Sequence, residues 1–90
     1  MPPAKLSKAE VVRRGREIYA RILRSRLEPQ HDGQFVAIEV DSGDYEVADE
    51  ALDAARELSL RHPDAVPFIH RVGYPAAYKL GGRFLVGRRP

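Results

Sequence analysis

An aspartate, a hydroxyl and a glycine stand together at Asp41-Ser42-Gly43, directly behind the apolar run Phe35-Val-Ala-Ile-Glu-Val40. Two such aspartates facing each other across a dimer axis would share one proton, because neighbouring like charges cannot both ionise, and the pair would activate water. The remaining titratable groups offer less. His31, His62 and His70 lie far apart and share no metal-ligand spacing. Asp41, Asp44, Glu46, Asp49, Glu50 and Asp53 are acidic enough for calcium, but the required glycine and terminal glutamate are out of register. No metal or cofactor is expected. The acids read as a solvated face.

A second stretch is built to bind rather than to react. Arg71-Val-Gly-Tyr-Pro-Ala-Ala-Tyr-Lys-Leu-Gly-Gly-Arg83 mixes two tyrosines, three glycines, a proline and three positive charges without helix or strand periodicity. Loops of this make-up usually present groups to a partner. Tyr74 and Tyr78 are the candidate anchors, since tyrosine brings large contact area at low entropy cost. Arg71, Lys79 and Arg83 are the candidate charged contacts. The competing reading folds the loop back over the sheet, with both tyrosines in the core. A phosphate cradle at Gly81-Gly82-Arg83 lacks the strand-loop-helix context it would need.

Charge is partitioned along the chain. Residues 1–30 carry +5, residues 31–64 carry −8, and residues 65–90 carry +5 with no acid at all. Either these segments neutralise one another, or a basic surface meets an acidic partner or nucleic acid. Arg13, Arg14, Arg21 and Arg24 share a helix face, and the basic tail interleaves Tyr74, Tyr78 and Phe84, which would supply phosphate contacts and stacking groups. No helix-turn-helix, finger or RNP pattern accompanies them. Ninety residues suffice for one small domain. Residues 1–6 and 84–90 are expected to be flexible or partner-dependent ends. The absence of cysteine and of an apolar leader or membrane-length run predicts a cytoplasmic protein with no membrane partner.

The elements that must position these groups follow from pattern. Ser7-Lys-Ala-Glu10 has capping-box spacing, and Val11, Val12, Gly15, Ile18, Tyr19, Ile22, Leu23 and Leu27 recur as one helical face. Gly15 costs about 1 kcal/mol relative to alanine mid-helix, which a close approach of another backbone would justify. Glu10 and Glu17 are spaced for pairs with Arg14 and Arg21. Phe35–Val40 and Tyr45–Val47 read as a hairpin around Asp41–Asp44, with Val40 opposite Tyr45, Ile38 opposite Val47 and Glu39 opposite Glu46, where Arg71 could relieve the repulsion. Asp49 is a candidate N-cap for a helix with Ala51, Leu52, Ala55, Leu58 and Ser59 inward. Val66–Val72 is the last strand, with Pro67 arguing for an edge position or a strand start. A right-handed crossover lays it beside the first strand and parallel to the second. The expectation is a two-layer α+β domain, α-β-β-α-β, with a three-stranded sheet of order 2-1-3.

Phe84-Leu-Val-Gly-Arg88 resembles the hydrophobic-glycine-arginine element that follows the aspartate in retropepsin-like aspartic proteases. Between the two fragments such a fold needs strands and a flap, and this chain supplies an acidic amphipathic helix. Asp-Ser-Gly is also ordinary turn chemistry, so the protease is the remote alternative. A broader resemblance covers residues 15–83. The phrases Glu28-Pro-Gln-His-Asp-Gly-Gln-Phe-Val-Ala-Ile-Glu-Val-Asp-Ser-Gly-Asp-Tyr-Glu-Val47, Arg61-His-Pro-Asp-Ala65 and Arg71-Val-Gly-Tyr-Pro-Ala-Ala-Tyr78 with Gly81-Gly82-Arg83 resemble a family of short bacterial proteins of uncharacterised function, common in cyanobacteria. That resemblance implies no activity; it implies an antitoxin-like role beside a second small protein. The tail after Arg83 departs from the family's ending. The leading expectation is a non-enzymatic module that binds another small protein, or a second copy of itself, through residues 71–83 and the basic first helix.

Overall fold

The structure, a computed structural model, describes residues 6–75, 77–80 and 83–86, with side chains described as far as Pro75. Ser7 Oγ accepts the Glu10 amide at 3.2 Å and starts α1 (Lys8–Ile18). Glu10 does not complete the capping box; its carboxylate turns to Arg13 at 2.7 Å. The helix runs on through a π-turn (Tyr19–Leu23) into α2 (Arg24–Leu27). Within that turn the Arg24 amide reaches back to the Tyr19 carbonyl, one residue further than in an α-helix. The extra residue rotates the following face. Tyr19, Leu23 and Leu27 are buried in one line, while Ile22, expected inward, is 45% exposed.

β1 (Phe35–Ile38) is the centre of an antiparallel sheet, flanked by β2 (Tyr45–Ala48) and β3 (Phe68–Arg71) in the order β2-β1-β3. Strand order and the relative direction of β2 and β3 are as the crossover argument expects. The hairpin register is not. Ile38 faces Tyr45 and Val36 faces Val47, a shift of two residues from the expected pairing. Glu39 is responsible: its buried carboxylate accepts the Ser42 amide at 2.8 Å and the Asp41 amide at 3.3 Å, and its carbonyl accepts Gly43 at 2.7 Å. Those bonds draw Glu39 and Val40 into the turn. A two-residue slip preserves the faces, so Val36, Ile38, Val40, Tyr45 and Val47 still share one side. Glu46 now lies opposite Ala37, and the expected clash with Glu39 does not arise.

The two helices cover opposite faces of the sheet, so the domain has three layers rather than the expected two. Val36, Ile38, Phe68 and Val72 pack against Val11, Tyr19, Leu23 and Leu27 of the first helix. On the other side Ala37 packs against Ala54 and Leu58 of α3 (Ala51–Ser59). Val36, Ala37 and Ile38 have no exposed surface, which is what an apolar strand between two layers requires. Fully burying each larger aliphatic side chain contributes about 1.5–3 kcal/mol. The inward stripe of α3 is centred on Ala54 and Leu58, and Leu52, expected inside, is 66% exposed. Asp49 does not cap this helix. Its carboxylate is held by Gln34 Nε2 at 3.0 Å, and Glu50 occupies the cap without a side-chain bond.

Much of the segment read as a loop and tail is a hairpin. β4 (Ala77–Leu80) and β5 (Arg83–Val86) pair antiparallel, Ala77 with Val86 and Leu80 with Arg83. Two short apolar-bearing runs around Gly-Gly are a hairpin signal, and the loop reading passed over it.

Gly15 answers to a ring, not to another backbone. A Cβ at position 15 would sit 2.2 Å from Phe68 Cγ and 2.5 Å from Phe68 Cβ. Those atoms form the root of the side chain and cannot swing away. Gly15→Ala should therefore destabilise the domain by about 1–3 kcal/mol by overpacking, against a helix-propensity gain of about 1 kcal/mol. Urea denaturation measures this. The loss should shrink in a Phe68→Ala background, which removes Cγ and the ring, giving a clear coupling energy in the double-mutant cycle.

Candidate interaction groove

Two adjoining cavities run along the seam between α1 and β3, sharing Lys8, Val12, Arg16, His70 and Pro75. The larger is about 990 Å3 and deepens toward Tyr19 and Arg24; the smaller is about 520 Å3 and follows β3 past Ile69 to Val66. Gly15 lets α1 settle onto Phe68, and Phe68 also lines the smaller cavity beside that contact.

The π-turn aims Tyr19 into the deep end. Its ring centroid lies 4.1 Å from that of His70, and its hydroxyl donates to Glu28 Oε2 at 2.5 Å. Arg24 stands beside both, with Nε 3.8 Å from Glu28 and its guanidinium 5.7 Å from the Tyr19 ring. Burial, reinforced by the bond to Glu28, pushes the Tyr19 phenol up to about 12. At neutral pH it is a hydrogen-bond donor and not a nucleophile. His70 Nε2 is buried with no hydrogen-bond partner among the described residues. Burial lowers the pKa of His70, with Arg24 adding to the effect and Glu28 opposing it. The ring is therefore neutral and held by packing between Tyr19 and Phe68.

At the mouth, the chain leaves β3 through Gly73, whose φ of +84° disfavours any side chain. A Cβ there would also stand 2.7 Å from the Asp32 carboxylate. This turn returns Tyr74 over Arg71, whose guanidinium lies 4.3 Å from the Tyr74 ring centroid and 5.4 Å from that of Phe35. Arg71 Nε also donates to the Gly33 carbonyl at 3.2 Å. Tyr74 is 49% exposed, so it lies at the surface and not in the core. Arg71 and Tyr74 are thus one cation–π unit. Arg71 does not relieve Glu46, as expected from the sequence; Arg61 does that, through Nη1 at 2.5 Å. The side chains of Tyr78, Lys79 and Arg83 lie outside the described residues.

The other sequence candidates scatter. Asp41 is 70% exposed at its side chain and meets Arg14 at 3.3 Å, on the surface of the turn. Arg61 and His62 hold the Asp44 carboxylate at 2.8 and 2.9 Å, well below the usual carboxylate range. His31 contacts Gln34 at 2.7 Å, and no group of three or more metal-ligating side chains occurs among the described residues. No helix among them is long and apolar enough to cross a membrane. Tyr19, Glu28 and Ile69 escape the sequence reading as site residues. The polar tip of Tyr19 on an otherwise apolar buried face was the available signal. No protein-family model, curated protein or solved structure matches the chain.

The buried neutral His70 predicts a pH dependence. The unfolded chain protonates this histidine near its ordinary value of 6.5, before the folded chain does. The unfolded state then binds more protons, so stability is full above that value and is lost as pH falls below it. The urea midpoint should decline between pH 7.5 and 5, and the decline should be shallower in His70→Phe. Asp44 enters only below about 3.8, its ordinary value, so the two windows are separate. An equal decline in both proteins would refute the assignment.

Proposed function

We propose that this chain is a non-enzymatic interaction module that seats part of a second protein in the α1–β3 groove, with Tyr74 and Arg71 at its mouth. The observation that carries this reading is the lining of the smaller cavity. Val12, Val66 and Ile69 are 41%, 58% and 36% exposed around it, and Lys8, Arg16 and Arg71 rim it. No acid belongs to that lining among the described residues. An open apolar strip with a cationic rim is the anatomy of a binding surface, apolar at the centre and polar at the edge. An antitoxin-like pairing with a small protein is the form the sequence resemblance implies. The protonated phenol of Tyr19 and the neutral, packed His70 support a binding role over catalysis.

The nucleic-acid reading gains nothing from the arginine face. Arg13, Arg14, Arg21 and Arg24 each lie within 3.8 Å of a carboxylate, from Glu10, Asp41, Glu17 and Glu28 respectively. Such exposed pairs are worth at most about 1 kcal/mol each, and among the described residues each of these four cations has a carboxylate neighbour that competes with a phosphate backbone.

Affinity purification of the tagged chain from its own cells should recover a stoichiometric protein. Tyr74→Ala should weaken that complex by about 2 kcal/mol, roughly thirtyfold, as truncation of an aromatic anchor does. The melting temperature should stay put, because Tyr74 is half exposed. Arg21→Ala, far from the groove mouth, should leave the complex unchanged. Undiminished binding by Tyr74→Ala would reject the anchor. Recovery of nucleic acid alone, released by moderate salt, would replace the reading with its competitor.

A further inference from the structure

We propose that the outer edge of β3 receives an extended segment of the partner as an added strand, and that this segment alternates apolar with acidic residues. The proposal rests on the interaction-module reading and names the conformation and chemistry of what the module binds.

The backbone accounting singles out this edge. In an antiparallel ladder successive residues direct their N–H and C=O groups to alternate sides. The Val72 amide donates to Gln34 at 2.8 Å, and Val36 and Ile38 stand opposite His70 and Phe68. Phe68, His70 and Val72 therefore turn their backbone groups toward β1. Ile69 and Arg71 turn theirs away. The Arg71 carbonyl accepts the Tyr74 amide at 3.2 Å, which, among the described residues, leaves the Ile69 N–H, the Ile69 C=O and the Arg71 N–H along the edge. Among the described residues the sheet ends at β3, and the β4–β5 hairpin forms a separate sheet. Pro67, which has no N–H, stands just ahead of the strand, as is common at edges.

The opposite edge is built differently. There the Glu39 amide bonds the Asp44 carbonyl, so Tyr45 and Val47 point outward from β2. Arg61 clasps that edge: Nη2 takes the Tyr45 carbonyl at 3.4 Å while the same guanidinium holds Asp44 and Glu46. A charged clasp over an edge is a device against strand pairing. Among the described residues β3 has no counterpart of it and instead borders a groove with apolar walls.

Donors and an acceptor alternating along the edge suit a peptide backbone. An inorganic anion has no use for the Ile69 carbonyl, and a docked helix has no backbone groups to offer. A strand laid along β3 would span about four residues, at roughly 3.3 Å each. Its side chains facing α1 would meet Val12 between Lys8 and Arg16, one turn away on either side. Those facing the other way would meet Ile69 and Arg71. Both faces call for apolar groups interspersed with acids, and no acid lines the smaller cavity among the described residues to repel them.

A random dodecapeptide library selected on the immobilised full chain tests this. Enriched peptides should be net acidic with period-two apolar spacing. The best one, made synthetically, should slow hydrogen exchange at the Ile69 and Arg71 amides. Ile69→Pro removes the outward N–H while sparing the ladder to β1, and should weaken peptide binding at least about tenfold; Ile69→Val should bind as wild type. If Ile69→Pro fails to fold, exchange in the wild-type chain decides instead. Peptides with helical spacing, or protection confined to α1, would overturn strand addition and leave the module reading intact. No enrichment would overturn both. Protection of these amides in the free chain would also overturn the proposal, by a second copy if it depends on concentration and by the chain itself if it does not.

Discussion

The contact on which this structure depends is the ring of Phe68 lying in the space a side chain at position 15 would fill. It fixes the height of α1 above the sheet and its position beside β3. With the helix held there, Tyr19 reaches His70 and closes the deep end of the groove. Tyr19 and Leu23 of the π-turn and Leu27 of α2 continue the buried line of the first helix. The helix-interior glycine thus has a packing reason, and its intrinsic cost of about 1 kcal/mol is offset by burial of Phe68. The groove borders that docking contact, since Phe68 also lines the smaller cavity.

The charge partition of the sequence survives in the fold more than it cancels. The arginines of the first helix draw their partners mainly from Glu10, Glu17 and Glu28 of the same segment, and Arg14–Asp41 is the one described ion pair that crosses to the acidic third. The acids around β2 are gathered by Arg61 and His62, which belong to that third themselves. A basic α1–β3 side and an acidic β2–α3 side therefore stand apart. This separation is the basis for proposing an acidic occupant of the groove, whose arrival long-range attraction would hasten at low salt.

Sequence patterning carried the fold class, the strand order and the first helix, because burial on one or both faces of an element leaves a periodic trace. It failed where a single side chain redirected the backbone. Glu39 bonds turn amides and shifts the hairpin by two residues, and Gln34 takes Asp49 away from the helix it was expected to cap. Neither bond has a periodic signature. The site shows the same division. Arg71 and Tyr74 were legible as a polar-aromatic pair in a turn, whereas Tyr19, Glu28 and His70 meet only through a tertiary fold that joins positions 19, 28 and 70. Ile69 is legible only once its backbone direction is known, since an edge strand and an inner strand of equal apolarity read alike.

The central claim, that the α1–β3 seam is where this protein meets its partner, is tested most directly by titrating the isotopically labelled chain with the co-purified partner and mapping amide shift changes by NMR. The account predicts changes concentrated at Val12, Arg16, Ile69, His70, Arg71 and Tyr74. Changes concentrated instead on the outer face of α3 and its C-terminal end, at Leu52, Asp53 and Leu60, would contradict it.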